Sequence, residues 1–207
     1  MMKRKTNYYI CIVLTLMLVL VSLSGCKGGE AQGTDKGGTD GGSEGAKESA
    51  LSGSTEDILQ KILDEAIVAL GDEVPAYFID PVTSENAPGM IGVLQDDFVS
   101  YVDEAAAATA AISTFAFQAA VIKCDDADNA KTIDKQITSG YDSGKWICAF
   151  PEQSMTVVSD SYILLAVGSV AQVTELSAAF KELAGGVASA PNIFYKGEVG
   201  GSLDEVE

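Results

Sequence analysis

The stretch SMTVVSDSYILLAVGSVAQVTELSAAFKEL, residues 154–183, decides the fold. Ser154 to Val158 and Tyr162 to Gly168 are apolar runs of strand length, and the tight Ser159-Asp160 join makes them neighbouring antiparallel strands. Ser169-Val170-Ala171-Gln172 then has the capping-box pattern, in which the serine hydroxyl and the glutamine side chain each take a backbone N–H that a new helix leaves unpaired. Val173, Leu176, Phe180 and Leu183 continue at helical spacing until Gly185-Gly186 stops the run. Two strands followed directly by a helix call for an α+β arrangement rather than a parallel α/β one.

Upstream, Thr114 to Cys124 reads as a strand apolar on both sides, with Phe115, Phe117, Ala119 and Val121 on one face. That is the pattern of a central strand. Asp125, Asp126 and Asp128 open a helix carrying Ala130, Ile133, Ile137 and Tyr141, whose continuation towards Phe150 is weakened by Gly140 and Gly144. Pro151-Glu152-Gln153 breaks the chain before the hairpin. Earlier still, Ser54 to Asp57 caps a helix striped by Ile58, Leu59, Ile62, Leu63, Ala66, Ile67 and Leu70 and ended by Gly71. Pro75 to Pro88 is rich in turn residues, Met90 to Leu94 and Phe98 to Val102 alternate like short strands, and Ala105 to Ala111 reads as an irregular or edge segment. The expectation is a single α+β domain over residues 55–186, with a mostly antiparallel sheet of about four strands packed with three helices. Residues 187–207 read as a polar tail.

With 207 residues, 47% of them apolar, the chain has material for one such domain plus appendages. It contains no histidine, which excludes Ser-His-Asp and Cys-His nucleophile activation and histidine-ligated zinc within this chain. Serines such as Ser139, Ser143 and Ser159 therefore lack the usual base, and no catalytic residue or cofactor is called for. Thirteen Lys and Arg against 30 Asp and Glu give a net charge of −17, or −20 without the three basic residues of the first 25. So acidic a surface repels phosphate backbones, and nucleic acid is not an expected partner.

The N-terminus reads as an address. Lys3, Arg4 and Lys5 precede an apolar run from Tyr8 to Val21 interrupted by Thr15. That is too short for a spanning helix, which needs about 20 apolar residues, and right for a secretory segment. It ends at Leu23-Ser24-Gly25-Cys26, which resembles the lipobox of bacterial lipoproteins. A thiol nucleophile follows small residues with leucine three positions before it, so residues 1–25 are expected to be removed and Cys26 to carry acyl chains. Two chains hold a protein stably on a bilayer where one is marginal. Residues 26–54 then form a lipidated tether: nine glycines among the 28 residues from Lys27 to Ser54, mixed with small polar side chains, cannot bury enough apolar area to order themselves.

Thr114–Asp126, Pro151-Glu152-Gln153 and Ser161-Tyr162-Ile163-Leu164-Leu165 resemble a family of Gram-positive surface lipoproteins known as domain of unknown function 4358, over roughly residues 58–183. The resemblance implies a lipid-anchored extracytoplasmic α+β domain on the outer face of the cell membrane, without established catalytic residues. It also implies an accessory role near envelope acyl-transfer systems, with an envelope protein as partner.

Four constellations have two uses each. Asp125, Asp126 and Asp128 offer oxygen ligands to a cation, though the EF-hand offsets fail; helix capping explains the same residues without a ligand. Asp96-Asp97 and Asp103-Glu104 have the groups of a two-carboxylate hydrolase or of a solvated acidic face. Cys124 and Cys148 are allowed a disulfide outside the membrane, yet a continuous intervening helix would hold them beyond the roughly 7 Å that a bridge spans. Tyr141, Trp146 and Phe150, with Tyr162 nearby, form the largest aromatic group, suited to packing or to stacking a ligand. The expected function is binding or accessory work at the envelope; the alternatives are a small-ligand or cation-binding component of a transport system, or a carboxylate-dependent hydrolase.

Overall fold

The structure, a computed structural model, describes residues 50–146 and 148–197. The expected signal segment, Cys26 and most of the tether lie outside the described residues. Helix α1 (Thr55–Leu70) is followed by a 3-10 turn (Gly71–Glu73) and β1 (Tyr77–Pro81). Two short helices, α2 (Ala87–Ile91) and α3 (Gln95–Tyr101), lead into β2 (Val102–Ala110) and β3 (Gln118–Cys124). Then come α4 (Ala127–Gly140), β4 (Gln153–Ser159), β5 (Tyr162–Gly168), α5 (Val170–Leu183) and β6 (Asn192–Lys196). All pairings are antiparallel in one six-stranded sheet of order β1-β2-β3-β5-β4-β6.

Among the described residues the expected sheet of about four strands with three helices is thus corrected to six strands with five helices. Met90 to Leu94 and Phe98 to Val102, expected as strands, are not: Met90 and Ile91 end α2, Gly92 to Leu94 link it to α3, Phe98 to Tyr101 belong to α3, and Val102 opens β2. Ile91 and Phe98 are each buried on a single side of a short helix, and a segment of one or two turns mimics alternation. Ala105 to Ala110 belongs to β2, an internal strand. Ala106 and Ala108 lie under α1 while Ala105 and Ala107 face the opposite layer, and alanine lets both layers approach closely. The turn-rich segment holds β1, which tolerates Pro81 because it is an edge strand. The tail expected from 187 onward holds the other edge, β6, through Asn192–Lys196. Tyr141 caps α4, so that helix does not run on to Phe150.

Helices cover both faces of the sheet. On one face α1 and α5 bury Ile58, Leu59, Ile62, Leu63, Val173, Leu176 and Phe180 against Ala119, Val121, Val157, Leu164 and Ala166. Each large aliphatic side chain so buried contributes about 1.5–3 kcal/mol. On the other face α2, α3 and α4 pack Ile91, Phe98, Ile133 and Ile137 on Ala120, Ile122, Ile163, Leu165 and Val167. Alternation along β3 and β5 feeds both layers, which is why those strands are apolar throughout. The capping box at α5 is complete, with Ser169 and Gln172 each satisfying the other's backbone N–H. At α1, the Ser54 hydroxyl accepts from Asp57 N at 3.1 Å. The α2 and α4 C-termini meet backbone to backbone. Gly92 has φ +76°, a Cβ built there would lie 2.5 Å from Tyr141 N, and one built at Gly140 would lie 2.6 Å from the Gly92 carbonyl oxygen.

The two ends of the sheet carry different chemistry. At one end β3 finishes at Cys124, β4 and β5 turn at Ser159 to Tyr162, and the chain enters the domain with Ala50 beside Gly185. Ser189, just beyond α5, exchanges two hydrogen bonds with Val158 there. At the other end stand the β2–β3 loop, the 141–152 loop and the start of α5. Among the described residues no helix is long and apolar enough to cross a membrane.

Candidate functional site

The acidic residues are used locally. Asp126 caps α4: its Oδ1 accepts from Asp128 N at 2.9 Å and Asn129 N at 2.8 Å. Asp128 pairs with Lys131 at 2.9 Å, which lowers its carboxyl pKa. Asp125 hydrogen-bonds to the Asp103 carboxyl across the β2–β3 pair, and that bond raises its pKa. Lys123 Nζ lies 3.4 Å from Asp103. No group of three or more His, Cys, Asp or Glu among the described residues could hold a metal ion.

Asp96-Asp97 and Asp103-Glu104 have different partners. Asp97 accepts from Gln136 Nε2 at 2.6 Å and so ties α3 to α4. The carboxyls that do influence each other, Asp103 and Asp125, are both exposed, whereas an acid–base pair for glycoside cleavage flanks a bound substrate. Cys124 and Cys148 are both free; the first is buried and the second exposed. Burial, then the carboxylates of Asp125, Asp103 and Asp126, push the Cys124 thiol up to about 12, so it behaves as an inert core group.

The aromatic group is split by the sheet. Tyr162 faces α1 and α5, whereas Tyr141 and Trp146 pack on the opposite side, with ring centroids 6.4 Å apart. Phe194 of β6 meets Tyr141 edge-on at 6.0 Å. Tyr141 donates to Gln118 Oε1 at 2.8 Å, and Gln118 Nε2 donates to the Met90 carbonyl at 2.9 Å. Lys145 completes this cluster. Its Nζ donates to the carbonyls of Gly89 at 3.1 Å and Met90 at 3.0 Å, and lies 4.5 Å from the Tyr141 ring centre and 5.2 Å from that of Trp146. Burial lowers its pKa to about 8, against the pull of the Asp142 carboxylate. With two carbonyls and two ring faces around it, the ammonium pins the 141–152 loop to α2. Nothing in the sequence around Lys145 marks it, because its acceptors lie 55 and 56 residues away.

Two clefts with exposed aromatic or aliphatic walls lie at the same end of the sheet. A cleft of about 250 Å³ is bounded by Phe115, Phe117, Phe150, Pro151, Glu152 and Gln172. A second, of about 210 Å³, is bounded by Asp72, Val74, Pro75, Ala76, Ile112 and Phe115. Phe115 lines both and divides them. It was expected inside a strand face, but β3 begins only at Gln118, so Phe115 belongs to the loop and stands 51% exposed. Phe150 is 72% exposed and Ile112 58%. Phe150 was visible as an aromatic residue, but its separation from Tyr141 and Trp146 was not.

No family model, curated protein or solved structure matches the chain.

Proposed function

We propose that this chain is a lipid-anchored, extracytoplasmic accessory protein of the cell envelope that acts by binding, and that it is related to the Gram-positive lipoproteins it resembles. The observation that carries the reading is Leu23-Ser24-Gly25-Cys26 at the end of a short apolar segment, followed by a glycine-rich stretch that gives way to α1 at Thr55. Supporting it, the carboxylates singled out as ligands or acids have structural uses: Asp126 caps α4, Asp128 and Asp103 face lysines, and Asp97 ties α3 to α4. Both clefts fall below the roughly 300–1,000 Å³ of a small-molecule site, which disfavours a metabolite receptor.

The anchor is tested by growing cells with a palmitate analogue. The full-length protein takes up label and fractionates with membranes, while Cys26→Ala is unlabelled. Equal labelling of the two forms, or an unlabelled wild-type protein, overturns the reading.

A further inference from the structure

We infer that the paired clefts around Phe115 dock an extended, cationic segment of an envelope protein, seating one apolar side chain on each side of the Phe115 ring with Lys or Arg beside Asp72 or Glu152. The inference rests on the binding role proposed above and gives it a surface and a partner chemistry.

Three observations carry it. The first is shape. Two adjoining clefts of about 210 and 250 Å³ share one aromatic wall, so the surface has room for two side chains of one segment, whereas a compact metabolite would meet two small open halves. The second is exposed apolar area concentrated at one place. Ile112, Phe115 and Phe150 are each more than half exposed around these clefts, and Val170 at the start of α5 is 48% exposed. Aromatic side chains of that kind supply most of the energy of small interfaces.

The third is charge. Between residues 50 and 197 there are 7 lysines, no arginine and 21 Asp and Glu, a net of −14. No cationic side chain lines either cleft, while exposed Asp72 lines one and exposed Glu152 the other. Glu152 also accepts from Val170 N at 2.9 Å, which holds its carboxylate at the cleft. Gln172 has both side-chain atoms engaged, Oε1 with Ser169 N and Nε2 with the Glu73 carbonyl. Selectivity among partners therefore falls to the apolar walls and the carboxylates.

The same charge argues against other occupants. A second copy would bring another −14 to an acid-lined surface. Residues 198–207 of this chain carry Glu198, Asp204, Glu205 and Glu207 without a cation, and so repel the same carboxylates. An anionic lipid surface is repelled likewise. Rim carboxylates contribute little affinity and mainly select the sign of the partner, so the apolar side chains provide the binding and the acids the discrimination.

The test uses the full chain and three sets of blocked, fluorescently labelled hexapeptides: Leu and Phe alternating with Lys, Leu and Phe alternating with Glu, and Ser alternating with Lys. Only the first set is expected to bind measurably by anisotropy at moderate salt. Phe150→Ser and Phe115→Ser should each weaken it at least fivefold, with Val99→Ser on α3 as the exposed apolar control that leaves it unchanged. Asp72→Asn combined with Glu152→Gln should narrow the preference for the Lys set over the Glu set. Circular dichroism of each variant checks that the fold is retained. Equal binding of the acidic set, equal binding of the Ser-Lys set, no binding of any set, or insensitivity to both phenylalanine changes overturns the inference. Sedimentation that shows a dimer dissociated by Phe150→Ser also overturns it, in favour of a second copy as occupant. The binding measurement does not depend on acylation, so Cys26→Ala protein that binds the peptides normally separates failure of the anchor from failure of the groove.

Discussion

Where β3 finishes, Asp126 caps α4, Asp128 holds Lys131 and Asp103 lies 3.4 Å from Lys123. At the opposite end of the sheet Phe115, Phe150 and Ile112 stand more than half exposed around two clefts. The first end is conspicuous in the sequence because it is charged, yet Asp103, Asp126 and Asp128 are engaged with lysines and with helix N–H groups. The second is inconspicuous because its residues are scattered from 72 to 172, yet its apolar surface is uncovered. A cluster of like residues in sequence thus says less about binding than surface whose favourable contacts are still missing.

The contrast can be broken most severely at the cleft end by Gly92→Ala. The change places a side chain at φ +76° and drives a Cβ into the Tyr141 backbone, so a loss of about 3 kcal/mol or more is expected in urea unfolding. A loss below 1 kcal/mol would mean that the α2 and α4 ends do not touch as described.

Next in size is the response to alkali, which has opposite sign at the two ends. The Lys145 pKa is lowered to about 8 from 10.5, so between those values the unfolded chain keeps a proton that the folded one has released. Stability rises with pH across that window, by up to about 3 kcal/mol, and Lys145→Met should abolish the rise. Cys124 is raised from 9.0 to about 12, so its stabilising effect is complete below pH 9 and is lost as pH climbs towards 12. Cys124→Ala should remove that fall. The check is a series of denaturant midpoints across pH for each variant against wild type. Parallel curves for Lys145→Met and wild type between 8 and 10.5 would refute a buried ammonium at that end.

The smallest effect belongs to the acidic end. Asp126→Ala removes the α4 cap and should cost about 1 kcal/mol, while Asp126→Asn, an equally good cap, should cost only a few tenths. A calcium-dependent rise in melting temperature of the wild type, lost in Asp126→Asn, would instead restore a cation to that cluster.

How much of this was legible follows from where each signal is stored. The α1 stripe, the β4–β5 hairpin and the α5 capping box are recorded in neighbouring residues and could be read directly. β2 could not be: a run of alanines has helical composition, and only the layers above and below it require small side chains in a strand. β6 is a five-residue edge, Asn192-Ile193-Phe194-Tyr195-Lys196, whose apolar centre is too short to stand out beside a polar terminus. Asp125, Asp126 and Asp128 were legible as a helix start because capping is local. The pinning of Lys145 and the walls of the clefts are long-range facts, produced by loops that converge only once the sheet has assembled.

Ala50 lies beside Gly185, at the sheet end farthest from Phe150. The chain therefore enters the globule at its carboxylate-rich pole, and the greasy pole lies across the sheet from that entry. The seven-residue strands between the two poles span about 23 Å. A segment seated against Phe115 and Phe150 is met about that far from residue 50, so the grip and the point of entry do not compete for one surface.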